Sequence, residues 1–189
     1  MSFDFTAARS NMVDSQVRPS DVTDPRIHHA MRTLAREAFV PADKAHLAYA
    51  DAAVEYAPGR WLLKPRDLAK LMQALEPQPG ERALAIAAPY AAAVLESLGV
   101  EVVRQDEGDL SAAQGDGYDL VVCESAVAAV PPAWLAALAA GGRLGVVERN
   151  GVGRAMVYRQ GQSADAGRPA FDASQAFLAG FEPQHGFAF

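Results

Sequence analysis

The spacing of hydrophobic residues divides the chain into a helical first part and a remainder in which strands and helices alternate. Three helices are predicted up to residue 75, with apolar stripes at Phe5, Ala8, Met12 and Val13; at Ile27, Ala30, Met31 and Leu34; and at Leu68, Leu71, Met72 and Leu75. The second helix is predicted to begin at Asp24-Pro25, because an N-cap acid followed by proline is a typical helix start. Residues 38–51 carry a further short helix, and residues 54–65 are predicted to be extended, with a turn at Pro58-Gly59.

From residue 81 onward, short apolar runs alternate with helices. The runs ERALAIAA, VEVVR and YDLVVCE are typical of buried strands, and PYAAAVLESLG and PPAWLAALAAGG of helices. RLGVVERN and RAMVYRQ flank NGVG and predict an antiparallel hairpin. This order predicts an α/β fold with a mostly parallel sheet and an antiparallel C-terminal hairpin. Gly161–Arg168 is predicted to be a loop, and Phe181, Phe187 and Phe189 to anchor the tail.

Composition and charge exclude several classes of function. The chain of 189 residues is 50% hydrophobic and has a net charge of −6, which disfavours nucleic acids and anionic membranes as partners. The single cysteine excludes an internal disulfide, and Cys123 is expected to pack in the core rather than act as a nucleophile. The four histidines have no metal-ligand spacing, so no metal is expected, and His28-His29 are assigned to a solvated helix face. Since neither a secretory signal nor a membrane span is recognisable, the expected location is the cytoplasm.

Several stretches, in order, resemble the protein-L-isoaspartate (D-aspartate) O-methyltransferase family. They are RSNMVDSQVRPSDVTDPRIHHAM, REAFVPADKAHLAYAD, GRWLLKP, PGERAL, YDLVVCESAVAAVP and LAALAAGGRLGVVER. The resemblance implies a Rossmann-like class I methyltransferase that uses S-adenosylmethionine to methylate isoaspartyl carboxylates in damaged proteins. It also implies a protein or peptide substrate. We expect one domain over residues 1–189, with N-terminal helices and an acceptor loop in residues 1–64 and the Rossmann-like core in residues 65–189.

The glycine-rich cofactor turn of such a fold is missing here. After the first core strand, alternate glycines normally let the backbone approach the cofactor and adopt positive φ. In this chain no glycine occurs between Gly80 and Gly99, and the strand runs into Pro89. Ala87, Ala88 and Tyr90 are the residues left to contact a cofactor at this turn. An alanine in the left-handed conformation costs ~1–2 kcal/mol, so the turn predicts weakened cofactor binding.

A second departure is the short connection QDEGDLSAAQGDG between the second and third predicted core strands. It is too short for the helix and strand that the family has there, so the family's third strand is predicted to be lost. The second strand then becomes an edge whose charged residues discourage unwanted pairing. Asp106 or Glu107 could still meet a ribose, and Asp116 superficially matches the adenine-side turn.

The acceptor loop departs as well. The resemblance implies a Thr-Ile-Ser run whose serine lies near the transferred methyl group, but Trp61, Leu62 and Leu63 stand there, with Leu63 at the serine position. These three residues, together with Asp51, are the candidates to line a pocket. Because a carboxylate is already anionic at neutral pH, methyl transfer to it depends on positioning rather than on a strong base. No convincing catalytic residue is therefore identified.

Together, these departures predict a degenerate family member. One lost hydrogen bond to a charged group, at about 1.5–3 kcal/mol, and the turn strain add to roughly 3–5 kcal/mol, which converts micromolar into millimolar affinity. The leading hypothesis is a pseudoenzyme with an eroded S-adenosylmethionine site. The alternatives are an active carboxyl methyltransferase with atypical cofactor binding, and a scaffold that binds a small ligand or a protein; a homodimer is left open.

Overall fold

The computed structural model of the protein describes residues 4–184, so the predicted tail anchors Phe187 and Phe189 lie outside the described residues. Its eight strands are β1 (Val54–Ala57), β2 (Arg60–Leu62), β3 (Arg82–Ile86), β4 (Glu101–Gln105), β5 (Tyr118–Val127), β6 (Leu138–Asn150), β7 (Val152–Arg159) and β8 (Arg168–Asp172). Its five α-helices are α1 (Phe5–Met12), α2 (Pro25–Thr33), α3 (Pro65–Leu75), α4 (Pro89–Ser97) and α5 (Pro132–Ala136). Within this range no helix is both long and apolar enough to cross a membrane.

The N-terminal region is helical, as its apolar stripes predict. The α2 helix begins where the sequence places its start, and the Asp24 side chain accepts a hydrogen bond from the Arg26 N–H at 2.8 Å. Between residues 36 and 47, two short 3₁₀ turns, Arg36–Phe39 and Ala42–Leu47, stand where one short helix was expected. The β1 and β2 strands then form a small antiparallel hairpin around the turn at Pro58-Gly59, as predicted.

The main sheet has the order β4-β3-β5-β6-β7-β8. The first four strands are mutually parallel, whereas β7 runs antiparallel to β6, so the predicted C-terminal hairpin is confirmed. Within the described residues no strand lies beyond β4, which makes the second core strand an edge, as the short connection predicts. At the other edge stands β8, which the sequence did not predict. It contains Pro169, a residue that an edge strand tolerates because its missing N–H breaks no internal ladder.

Alternate residues of the central strands face two hydrophobic clusters. In β3, Ala83 and Ala85 contribute to the cluster formed with the N-terminal helices, α3 and α4, whereas Leu84 and Ile86 face the opposite cluster with Trp134. Cys123 belongs to the second cluster and is completely buried, in agreement with its expected packing role. The sheet is therefore covered on both faces, and the N-terminal residues form part of its core.

The predicted helix over residues 131–142 is wrong in length. The α5 helix ends at Ala136, and Leu138 already pairs with Tyr118 at the start of β6. The Tyr118 N–H donates to the Ala137 carbonyl at 3.0 Å. Strand pairing thus overrides the helix propensity of the alanine-rich segment.

Candidate functional site

The carboxyl ends of β3, β4 and β5 meet at one edge of the sheet, where α/β folds hold their ligands. The last residue of β3, Ile86, pairs with Gln105 of β4 and with Cys123 of β5. The residues that follow these three positions determine what this edge can bind.

The turn after β3 is made without glycine. Ala87 adopts a φ of 44°, and Ala88 follows with a φ of −140°. The Ala87 N–H donates to the carbonyl of Gln105 at 3.0 Å, which fixes the turn against β4. The exposed fractions of Ala87 and Ala88 are 0% and 1%. Ala87 therefore adopts a left-handed conformation, which costs an alanine ~1–2 kcal/mol. Neither alanine exposes surface to a ligand.

Tyr90, in the first turn of α4, fills the space beside this turn. Its side chain is fully buried, and its ring lies 5.3 Å from the ring of Phe39 in an edge-on contact. The Arg36 guanidinium carbon lies 4.7 Å from the centre of the same ring. Instead of lining an open pocket, Tyr90 packs against the N-terminal segment.

A buried carboxylate lies at the start of α4. Glu124 of β5 is 0% exposed, and its Oε2 accepts a hydrogen bond from the Tyr90 N–H at 3.1 Å. Burial raises the pKa of Glu124 to about 7, although the charge of Arg36 and nearby backbone N–H groups, including that of Ala91, act to lower it. Its Oε1 has no hydrogen-bond partner within the described residues.

The three acidic candidates occupy different places. Asp106 directly follows β4 at the carboxyl edge, and burial raises its pKa, against the lowering effect of Arg104. Glu107 is exposed. Asp116 lies two residues before β5, and its carbonyl accepts a hydrogen bond from Arg82, the first residue of β3, at 2.8 Å. Asp116 therefore lies at the amino edge of the sheet, opposite the edge that carries Asp106.

The shortened connection between β4 and β5 closes around the Gln105 side chain. The Gln105 Nε2 donates to the carbonyls of Asp109 and Ala112 at 3.1 and 2.8 Å, and its Oε1 accepts from the Gln114 N–H at 2.9 Å. The Trp134 indole N–H donates to the Leu110 carbonyl at 2.9 Å. The Gln105 amide and the Trp134 indole thus hold the shortened connection, which stands where the family pattern has a helix and a strand.

The acceptor loop is tethered to the sheet through its backbone. The Trp61 N–H donates to the Ser125 Oγ at 3.1 Å, and Trp61 is partly buried. Leu62 and Leu63 are buried in the core beneath the N-terminal helices, so the family serine position carries a packed aliphatic side chain. Asp51 is exposed and lies 3.9 Å from an Arg66 guanidinium nitrogen.

An open cleft of about 730 Å³ lies between the β1–β2 turn, the loops that follow β4 and β5, and the C-terminal segment. Leu110 and Phe181 contribute apolar surface to it. Arg60 lines the cleft, and its charge acts on Asp106 and Tyr56. The carboxylates of Asp109 and Glu182 accept hydrogen bonds from backbone N–H groups of the cleft walls. None of the site residues predicted from the sequence lines this cleft.

The structure also brings forward residues that the sequence pattern left unmarked. Glu124, Arg36 and Gln105 are buried polar side chains at the carboxyl edge or packed against it. A carboxylate inside the apolar run of β5 is the signal that could have identified Glu124, because buried charges rarely occur without a specific partner. In the part of the chain that the structure describes, no cluster of histidine, cysteine and acidic side chains could hold a metal ion.

Comparison with known proteins agrees with this architecture. The model of the protein-L-isoaspartate(D-aspartate) O-methyltransferase family matches residues 7–106. The chain belongs to this family. The match ends at Asp106, where the shortened connection begins.

Two named relatives extend the similarity beyond that match. A protein-L-isoaspartate O-methyltransferase from Methylorubrum populi is 32% identical over 165 residues, which are 73% of this chain and 78% of the relative. Protein-L-isoaspartate O-methyltransferase 1 from Rhodopseudomonas palustris is 33% identical over 168 residues, 74% of this chain and 69% of the relative. The sequence similarity thus covers most of both chains.

Solved structures share the fold. A protein-L-isoaspartate O-methyltransferase aligns with a TM-score of 0.67 at 18% identity and covers 91% of this chain and 66% of its own. A structure from Plasmodium falciparum, described as this methyltransferase in complex with S-adenosyl-L-homocysteine, aligns with a TM-score of 0.67 at 13% identity and covers 94% and 99%. These likenesses establish the Rossmann-like class I methyltransferase fold for the chain.

Proposed function

We propose that this chain is a catalytically silent member of the family, which keeps the methyltransferase fold as a binding scaffold and does not use S-adenosylmethionine. The observation that carries the proposal is the closed turn after β3. Ala87, Ala88 and Tyr90 have at most 1% of their surface exposed. Since a cofactor at this edge must contact the turn backbone, the residues present do not fit one.

The connection after β4 supports the same conclusion. In the family's pattern this part of the chain supplies a helix, a strand and an acidic turn on the adenine side, whereas here it folds onto Gln105. Asp106 remains at the carboxyl edge, but Asp116 lies at the opposite edge. At most one of the acidic contacts expected for a bound nucleoside is therefore available.

The acceptor loop removes the last element of the expected reaction centre. Leu63 is buried and has no hydroxyl group to offer to a substrate carboxylate. A site that loses one hydrogen bond to a charged group loses about 1.5–3 kcal/mol of binding. Neither the methyl donor nor its acceptor retains the contacts on which positioning depends.

A methyl-transfer assay tests the proposal. The protein is incubated with an isoaspartyl peptide and radiolabelled S-adenosylmethionine, and base-labile methyl ester is measured. The Methylorubrum populi relative serves as the positive control under identical conditions. We expect no ester above the no-enzyme background from this chain. A turnover comparable to that of the relative would overturn the proposal and favour an active enzyme with atypical cofactor binding.

The cleft favours a second candidate, a protein that binds a small anionic ligand. Its volume of about 730 Å³ falls within the usual range of ligand sites. Arg60 is a positively charged group in its wall, and its charge acts on Asp106. If this candidate is correct, an anionic ligand found by a thermal-shift screen should lose affinity in Arg60→Met and keep it in Arg18→Met, a change at an exposed arginine far along the chain.

A further inference from the structure

The N-terminus of α4 has the features of an anion site. The first N–H groups of a helix have no partner within the helix, and together with the helix dipole they attract negative charge. In doubly wound folds, the helix that follows the first core strand uses this end to hold the anionic part of a ligand. In this protein that helix is α4, which is nine residues long and begins at Pro89.

An acidic side chain of the protein itself lies at this helix end. Glu124 is carried by β5, one residue beyond the position that pairs with Ile86 at the end of β3. This register places it beside the turn that leads into α4. Its Oε2 accepts the Tyr90 N–H at 3.1 Å, and the Ala91 N–H contributes to lowering the pKa of the carboxyl.

A buried cation completes the site. Arg36 is 0% exposed, and its Nε and Nη2 donate to the carbonyls of Ala48 and Leu63 at 2.8 and 2.5 Å. Its Nη1 is buried and has no hydrogen-bond partner within residues 4–184. The guanidinium carbon lies 4.7 Å from the ring centre of Tyr90, and its charge acts on Glu124.

We infer that Glu124 is an intramolecular ligand whose carboxyl group occupies a carboxyl-binding site at the α4 N-terminus, within the field of Arg36. This inference rests on the proposed function and deepens it, because it identifies the group that closes the site. An external carboxylate at this position would meet the Glu124 side chain and have no backbone N–H left to bind. The site is therefore closed in two ways: the Glu124 side chain takes the place of a ligand, and the turn after β3 has no glycine.

Chemical rescue tests the inference. Glu124→Ala removes the carboxylate and leaves a cavity beside free N–H groups and Arg36. The melting temperature of the variant is measured at pH 5 and at pH 8 in sodium formate or acetate, with sodium chloride at matched ionic strength and acetamide as controls. We expect the variant to melt lower than the wild type and formate to raise its melting temperature saturably, by about 3–5 °C at ten times the dissociation constant.

Two further variants control for nonspecific effects. Glu124→Gln fills the same space and should show no response to formate beyond that of the wild type. In Glu124→Ala with Arg36→Met, the rescue should disappear, because the counter-charge is gone. If Glu124→Ala does not fold, Glu124→Ser, whose hydroxyl can accept one helix N–H, is measured instead. Equal effects of formate and chloride on the variant would overturn the inference.

The failure of this inference is distinguishable from failure of the proposed function. Methyl transfer by the wild-type protein would overturn the proposed function whatever formate does to the variants. A silent wild type whose alanine and serine variants show no carboxylate-specific rescue would overturn only the role of Glu124 as an internal ligand.

Discussion

The guanidinium carbon of Arg36 lies 4.7 Å from the centre of the Tyr90 ring. Both side chains are fully buried. The contact joins the N-terminal segment to the first helix of the Rossmann-like core, at the place where the fold would otherwise open toward a ligand. The proposed closure of the site and the attachment of the N-terminal region therefore depend on the same residues.

Arg36→Met should destabilise the protein strongly. The substitution removes the donors to the Ala48 and Leu63 carbonyls and the counter-charge of buried Glu124. Hydrogen bonds that involve a charged group contribute about 1.5–3 kcal/mol each, so the loss of two of them should cost about 3–5 kcal/mol in urea unfolding. Arg18→Met, at an exposed arginine, is the control and should change stability by less than about 1 kcal/mol. A loss for Arg36→Met no larger than that of the control would show that the buried contacts are not formed.

Gln105→Leu tests the organisation of the shortened connection. The variant keeps the size of the side chain but loses three hydrogen bonds to Asp109, Ala112 and Gln114. At about 1 kcal/mol for each hydrogen bond, we expect a loss of about 2–4 kcal/mol and faster amide hydrogen exchange in residues 106–117. Gln114→Leu, at an exposed position in the same segment, should have little effect. Unchanged exchange in Gln105→Leu would contradict the arrangement.

The turn after β3 can be tested with a matched pair of glycine substitutions. Ala87 and Ala88 are almost equally buried, but Ala87 has a φ of 44° and Ala88 a φ of −140°. Each substitution removes one buried methyl group, whereas only Ala87→Gly relieves left-handed strain of ~1–2 kcal/mol. We therefore expect Ala88→Gly to be less stable than Ala87→Gly by about 1 kcal/mol or more in chemical denaturation. The reverse order would contradict the positive φ at Ala87.

The buried carboxyl of Glu124 should make stability depend on pH. Burial raises its pKa to about 7 in the folded protein, above the value of about 4.3 for an unfolded chain. Its contribution is thus fully present below the unfolded value and is lost as the pH rises through about 7. The titratable groups that interact with it are Arg36, Tyr56, Tyr90 and Cys123.

Glu124→Gln isolates this effect, since glutamine stays neutral and has nearly the same shape. The free energy of unfolding of the variant minus that of the wild type should increase between about pH 4.5 and pH 8 and then level off. Gln114→Leu, at an exposed position, changes no titratable group and is the control; its difference should not vary with pH. A Glu124→Gln difference that falls as the pH rises would show that the pKa is lowered instead.

The sequence was sufficient to predict a mostly parallel sheet with an antiparallel C-terminal hairpin, because alternating buried apolar runs and helices leave few topologies. The missing edge strand was predictable because the connection after β4 is shorter than the family pattern requires. The prediction failed where strand pairing outweighed the helix propensity of the local sequence. The alanine-rich segment after Pro132 becomes a strand where Leu138 pairs with Tyr118. The β8 strand, RPAFD, was missed because it contains a proline and a charged residue at each end and has no apolar run.

The candidate site was predictable only as an absence. The lack of glycine before α4 is visible in the sequence, but the group that fills the space is not. Glu124 reaches the helix end only because β3 and β5 pair in a particular register, and Arg36 arrives from a distant segment.

Isothermal titration with S-adenosyl-L-homocysteine measures directly whether the chain binds the cofactor product. This product is present in the Plasmodium falciparum structure that shares the fold, and its binding requires no turnover. With the Methylorubrum populi relative as a positive control, we expect no saturable heat from this chain at ligand concentrations up to millimolar. A micromolar dissociation constant would contradict this expectation.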